Sequence, residues 1–213
     1  MIEYHASETV PAEQHAGSPM ELLRCGIRGA FFRPVDAERV GVPRRRLAAL
    51  VAAGELEHVE RGLYRLADAE PTERYSIAMV CARVPRAIVC LLSALVVHEI
   101  GTQLPRKVWL AIPHRAEPPR VRGIQVELVR FSGAAATYGV LETQFEGVPA
   151  RITSPARTIV DCFRYERLLG PEAPMEALTD GLRQRKTTVA ELSRILQVLP
   201  SRRLAAALDV RSI

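Results

Sequence analysis

The sequence predicts an α+β protein in two parts. A small N-terminal helical segment closed by a hairpin is followed by a larger mixed α/β domain with a mostly antiparallel sheet and C-terminal helices. Three observations predict this. Between Pro19 and Leu66 the apolar residues recur first at helical and then at strand spacing, with Pro and Gly at the changes. Between Lys107 and Ile152 apolar and polar residues alternate, as in half-buried strands. From Ser154 onward helical spacing returns behind Ser-Pro and Thr starts.

The elements follow in order. Met20, Leu22 and Leu23 open a short helix that ends near Gly26 or Gly29, and Phe31-Phe32-Arg33 is a brief extended piece. Pro34 starts a helix that Gly41 stops, the expected placing of Pro inside a helix start and Gly past its end. A second helix begins at Pro43; Leu47, Leu50 and Val51 stand at i, i+3 and i+4, one buried stripe, and Gly54 caps it. Two helices joined by Gly41-Val42 form a helix-turn-helix candidate. Leu56–Glu60 and Leu63–Leu66 around Arg61-Gly62 read as a hairpin, which makes the segment a winged helix. Residues 67–72 are polar with one Pro, a linker. The expected divisions are a disordered arm over 1–18, a winged-helix domain over 19–70 and a second domain over 71–213.

In the second domain Glu73–Arg83 reads as helix, and Ala87–Ile100 as mostly helix with a buried, extended start. Lys107–Ile112 and Ile124–Phe131 read as strands, and Thr137–Phe145 with Val148–Ile152 as a hairpin about Glu146-Gly147. Ser154-Pro155 starts a helix to about Tyr165. Pro174–Arg185, Val189–Leu199 and Arg202–Val210 are helices, the middle one opened by a Thr188/Glu191 capping box. No internal repeat is visible.

Composition narrows the function. Of 213 residues, 48% are hydrophobic and 25% charged, an ordinary globular balance that excludes wholesale disorder, collagen and coiled coil. The longest apolar run, Ala87–Val97, has eleven residues and contains Ser93; a membrane span needs about 20. Residues 1–19 hold Glu3, Glu8 and Glu13 and no apolar core, so they do not read as a signal peptide. The four cysteines form no Cys-x-x-Cys pair, and three have apolar neighbours, which points to buried thiols and a reducing cytoplasm. Net charge is +5, which suits a polyanionic partner without requiring one. Residues 18–66 hold nine Arg and six acids; residues 71–213 hold 20 basic and 13 acidic residues.

The candidate chemistry is binding rather than catalysis. Arg44, Arg45 and Arg46 stand at the N-terminal end of the second helix of the helix-turn-helix, the end presented to base edges in the major groove. Arg suits guanine N7/O6 or phosphate. The buried stripe leaves Arg44, Arg45, Ala48 and Ala49 outward and Arg46 nearer the boundary, and Arg61 at the wing tip reaches the DNA backbone or minor groove. The competing reading is a solvated Arg run in an Arg-rich chain. Ser93, His98 and Asp161 supply the residue types of a triad, but Ser93 and His98, five apart on one helix, diverge by about 140°. The five histidines show no metal-ligand spacing, and no acid stands two residues before Lys107 or Lys186, as a Mg²⁺ nuclease would need. No phosphate-binding glycine loop is present. No metal or cofactor is expected.

Two further features stand out. Arg157 and Asp161, at i and i+4, pair within an apolar helix, as a half-buried structural clamp or a partner-binding feature. Arg106, Lys107, Arg115, Arg120 and Arg122 face Glu117 alone over residues 106–122, as a basic surface for a partner or for DNA, or a solvated hairpin tip.

The order "GELEHVERGLYRL", "AIVCLLSALVVHEIGTQLPRKVWLAIP", "VPARITSPARTIVDCFRY" resembles the AbiEi-type antitoxins of bacterial abortive-infection toxin–antitoxin systems, over residues 19–200. The resemblance implies two domains. The winged helix would bind double-stranded operator DNA at inverted repeats and repress its own operon. The C-terminal domain would counteract a nucleotidyltransferase-like toxin and assist DNA binding. It implies no catalytic residues and a type IV system, in which antitoxin and toxin form no stable complex. Two features depart from the family: the second helix opens Val-Pro-Arg-Arg-Arg where a Ser or Thr cap is usual, and an acidic arm precedes the usual start. The alternative reading is a protein-interaction module whose winged helix no longer binds DNA, motivated by Glu55, Glu57 and Glu60 along the hairpin.

Overall fold

A computed structural model describes residues 17–70, 72–119, 121 and 123–211. The expected arm therefore lies outside the described residues up to position 16. Its last member, Ser18, caps the first helix. The described residues divide into two compact units: those up to Arg28 with Phe32–Asp68, and Gly29–Phe31 with those from Ala69 onward.

The first unit opens with α1 (Pro19–Gly26), whose Ser18 and Glu21 form a reciprocal capping box. The extended β1 (Phe31–Phe32), of which only Phe32 belongs to this unit, precedes α2 (Pro34–Arg39) and α3 (Arg44–Ala52). The antiparallel pair β2 (Leu56–Glu60) and β3 (Leu63–Leu66) follows, and the sheet order is β1-β3-β2. This is the element order of a winged helix. Leu23, Phe32, Ala37, Val42, Leu47, Leu56 and Leu63 are buried, so each element gives at least one side chain to the core. Of the expected stripe on α3, Leu47 is fully buried while Leu50 and Val51 are half-buried.

The second unit runs α4 (Tyr75–Arg83), β4 (Ile88–Val89), α5 (Leu91–His98), β5 (Val108–Pro113) and β6 (Val126–Phe131). A 3-10 turn at Gly133–Ala136 leads to β7 (Val140–Phe145) and β8 (Val148–Thr153). Then come α6 (Pro155–Arg164), α7 (Glu166–Leu169), α8 (Glu172–Arg183), α9 (Val189–Val198) and α10 (Arg202–Arg211). The α+β class holds. The five-stranded sheet has the order β6-β5-β4-β8-β7.

The sheet is evenly mixed rather than mostly antiparallel. β4 pairs antiparallel with β5 and parallel with β8; β5 pairs parallel with β6, and β7 antiparallel with β8. Alternation of side chains reports a strand but not its direction. The Pro113–Gly123 connection is accordingly a return crossing between parallel strands, not a hairpin tip. The central strand β4 contributes only two residues, Ile88 and Val89, both buried.

Helix α6 is central to the core. Eight of its ten residues are buried, and it packs against α5, α8 and α9. Ser154 caps it by accepting from the Arg157 N–H, and the Thr188/Glu191 box opens α9.

Candidate nucleic-acid interface

The α2–α3 turn is built by backbone geometry. Gly41 holds φ +88°, a conformation that side chains resist, and the Gly41 and Val42 N–H groups donate to Glu38 and Ala37 carbonyls. Val42 is buried, which fixes the turn to the core. α3 then starts at Arg44 with Pro43 as its N-cap residue. No side chain caps it, and no acid lies in its first turn. Arg44, Arg45 and Arg46 are all exposed there, as are Ala48 and Ala49. Arg46 is thus outward rather than at the boundary. Three positive charges at the positive end of a helix dipole repel one another and the helix end, which is unfavourable in isolation. An anion docked at that end would relieve the repulsion.

The hairpin is braced across its strands. Arg65 is buried on β3 opposite Glu57 of β2, with Nη1 donating to Oε2 at 3.1 Å. Tyr64 lies between Phe32 (ring centroids 6.0 Å) and His58 (5.1 Å), an aromatic row across all three strands. Arg61 is exposed at the turn. Glu57, one of the three acids that argue against DNA, is therefore answered by Arg65.

In the second unit Arg106 and Lys107, of the expected basic surface, stand apart from Arg115. Arg106 and Lys107 are exposed just before β5, while Arg115 is exposed beyond its other end, about 20 Å along the strand. Arg120 and Arg122 lie outside the described residues. Lys107 pairs with Glu127 at 2.8 Å. Arg130, which sequence reasoning missed, gathers the crossing loop by donating to the carbonyls of Pro113, His114 and Ala116. Its signal was only an Arg in an alternating strand.

Arg157 and Asp161 are fully buried, not half-buried, because α6 is packed between α5, α8 and α9. Arg157 Nε donates to Asp161 Oδ2 at 2.8 Å, and Arg164 donates to Oδ1 at 2.9 Å. The remaining Arg157 donors reach the carbonyls of Ala135 (3.0 Å) and Tyr138, and the guanidinium lies over the Phe131 ring. Burial pushes the Asp161 carboxyl up while Arg157 and Arg164 oppose the rise. The pair ties the 3-10 turn and the start of β7 to α6.

The residues of a nominal triad are each committed elsewhere. Ser93 Oγ accepts from the Trp109 N–H at 2.9 Å, and His98 Nε2 donates to the Thr153 carbonyl at 2.7 Å. Burial lowers the His98 pKa. Cys81, Cys90 and Cys162 are buried and their thiols are pushed up by burial, Cys81 to about 12; Cys25 is exposed. Among the described residues no group of His, Cys, Asp and Glu is arranged to hold a metal ion, and no helix is long and apolar enough to cross a membrane.

Residues 21–67 match the AbiEi antitoxin family of transcriptional regulators. The matched segment runs from α1 to the end of the hairpin and contains all five residues placed at the candidate interface. Over the chain as a whole, the structure is similar to the crystal structure of the RV2827C protein from Mycobacterium tuberculosis. The two share 16% identity and a TM-score of 0.50, covering 89% of this chain and 74% of that one. At that identity the likeness is one of fold. No curated protein matches the chain.

Proposed function

We propose that this chain is an antitoxin and transcriptional autorepressor of a bacterial toxin–antitoxin operon. A DNA-binding domain over 19–70 grips operator inverted repeats, and a domain over 71–213 counteracts a nucleotidyltransferase-like toxin. The observation that carries the reading is the run Arg44-Arg45-Arg46, exposed at the uncapped start of α3 within the segment that matches the AbiEi regulators. There the guanidiniums meet base edges and phosphates, Ala48 lets the helix lie close to the groove floor, and Arg61 contacts the backbone beside it. The buried thiols support a cytoplasmic site of action. The matched family is one of regulators, and the protein acts by binding, without catalysis.

A gel-shift titration tests this with the chain's own upstream DNA against a scrambled duplex, at two salt concentrations. Specific retardation that weakens with salt is expected. Arg44→Ala or Arg45→Ala should each cost about 1–3 kcal/mol if the side chain reads a base, and lower the salt slope by about one unit if it holds a phosphate. A double variant that binds operator as tightly as the parent would sink the assignment. Equal, weak binding to both duplexes would favour the interaction-module reading.

A further inference from the structure

The second unit carries a cleft of about 380 Å³ where the end of β5, the start of β4 and the 3-10 turn come together. Its volume lies within the ~300–1,000 Å³ usual for small-ligand sites. Ile88, Ala111, Phe131 and Ala136 give it an apolar bed, and Arg86 and Arg151 line it as well. Among the described residues no carboxylate lines it. Both flanks are fastened. On one, Arg151 Nη2 donates to the Arg86 carbonyl. On the other, Arg157 donates to the carbonyls of Ala135 and Tyr138, which bracket Ala136, and its guanidinium lies 4.9 Å from the centroid of the Phe131 ring. Arg86 is exposed and, among the described residues, forms no ion pair. Glu142, the acid opposite Arg151 in the β7–β8 register, is exposed, lines the neighbouring groove and makes no ion pair with Arg151.

We infer that this cleft binds a small organic anion, with an apolar or aromatic body on the bed and a carboxylate or phosphate group at Arg86 and Arg151. The charge argues for the anion. Two guanidiniums in one cleft with no acid in its lining repel each other and any cation, and an anion placed between them relieves that repulsion. Their planar forks match carboxylate and phosphate alike. The bed argues for the body. An inorganic ion would leave the apolar residues in water, whereas a ring system covers them and gains by the burial. The fastened flanks argue for a site already formed. Walls held before the ligand arrives lose little entropy when it does. The cleft lies wholly within the second unit, so the inference does not depend on the DNA reading of α3.

The test titrates the full chain by calorimetry with three probes that share one ring system: naphthoate, naphthyl phosphate and the neutral naphthamide. At least one anion should bind tenfold or more tightly than naphthamide, and the better of the two anions tells a carboxylate ligand from a phosphate one. Arg86→Ala should weaken that anion at least fivefold, and Arg86→Glu further, while naphthamide is unaffected. Arg86 is exposed, so the melting temperature should not change. Arg151→Ala should act in the same direction, although it also removes the bond to the Arg86 carbonyl. Amide chemical shifts on adding the better anion should move most at Ala111, Phe131 and Ala136. No binding of either anion at millimolar concentration, equal affinity for the anions and naphthamide, or affinity indifferent to both Arg86 variants would overturn the proposal. Amide shifts gathered away from this cleft would do the same.

Discussion

Arg157 sets the tone at the scale of single residues. A fully buried guanidinium survives because its donors find Asp161, two carbonyls and the face of Phe131. Removing its counterion leaves a charge in the core with nothing to balance it, which typically costs about 3–5 kcal/mol. Asp161→Ala should therefore destabilise the protein by about that much in urea unfolding. Replacing both partners by apolar residues, Arg157→Met with Asp161→Leu, should cost distinctly less than the single change. Additive losses would show that the pair is not the unit. The neighbouring Gly139, at φ +68°, leaves room for this arrangement, since a Cβ there would stand 2.9 Å from Arg157 Cβ. The sequence spacing makes the pairing legible. It does not reveal the depth of burial or the carbonyls of Ala135 and Tyr138, which come from a turn 19 to 22 residues away.

Among the elements, α3 and the Gly101–Gln103 segment show how local chemistry commits a surface. α1, α6 and α9 begin with a hydroxyl cap, while α3 begins with Pro43 and three arginines. The Gly101–Gln103 segment is held by carboxylates, so its hold depends on pH in a definite direction. Hydrogen bonds from Thr102 and Gln103 lower the Glu176 pKa, and the Gly101 N–H with Arg183 lowers that of Asp180. A folded-state pKa below the unfolded one adds stability above the unfolded value, and that stability is lost as pH falls through the folded value. The window opens at the ordinary carboxylate range, about pH 4, and extends below it. Amide-exchange protection at Gly101 and Thr102 should be steady near neutrality and fall only below about pH 4. Glu176→Gln should weaken protection at Thr102 at every pH. Loss of protection already at about pH 6, well above that range, would refute the account.

For the molecule as a whole, contiguity in sequence and membership of a compact unit diverge at one place. Gly29–Phe31 lies within the stretch expected to be the first domain but packs with the second unit. The Phe31 N–H donates to the Glu146 carbonyl at 3.0 Å, and its ring lies 5.3 Å from Tyr75. Phe31 is fully buried, so Phe31→Ala should cost about 3–5 kcal/mol in chemical denaturation. A loss below about 1 kcal/mol, the range of an exposed position, would show that this seat does not matter.

What is local is legible in the sequence. Pro at helix starts, Gly at helix ends, the Ser154 and Thr188 caps and the alternation in β5 and β6 each act within a few residues, so they can be read without knowing the fold. What depends on partners distant in sequence comes from the folded arrangement. It made β4 a central strand from two residues and ran β5 parallel to β6. It also buried Arg65 and Arg157 and put Arg115 at the far end of β5 from Arg106 and Lys107. Backbone pairing and burial are satisfied by whichever segment arrives, and no local pattern names that segment in advance.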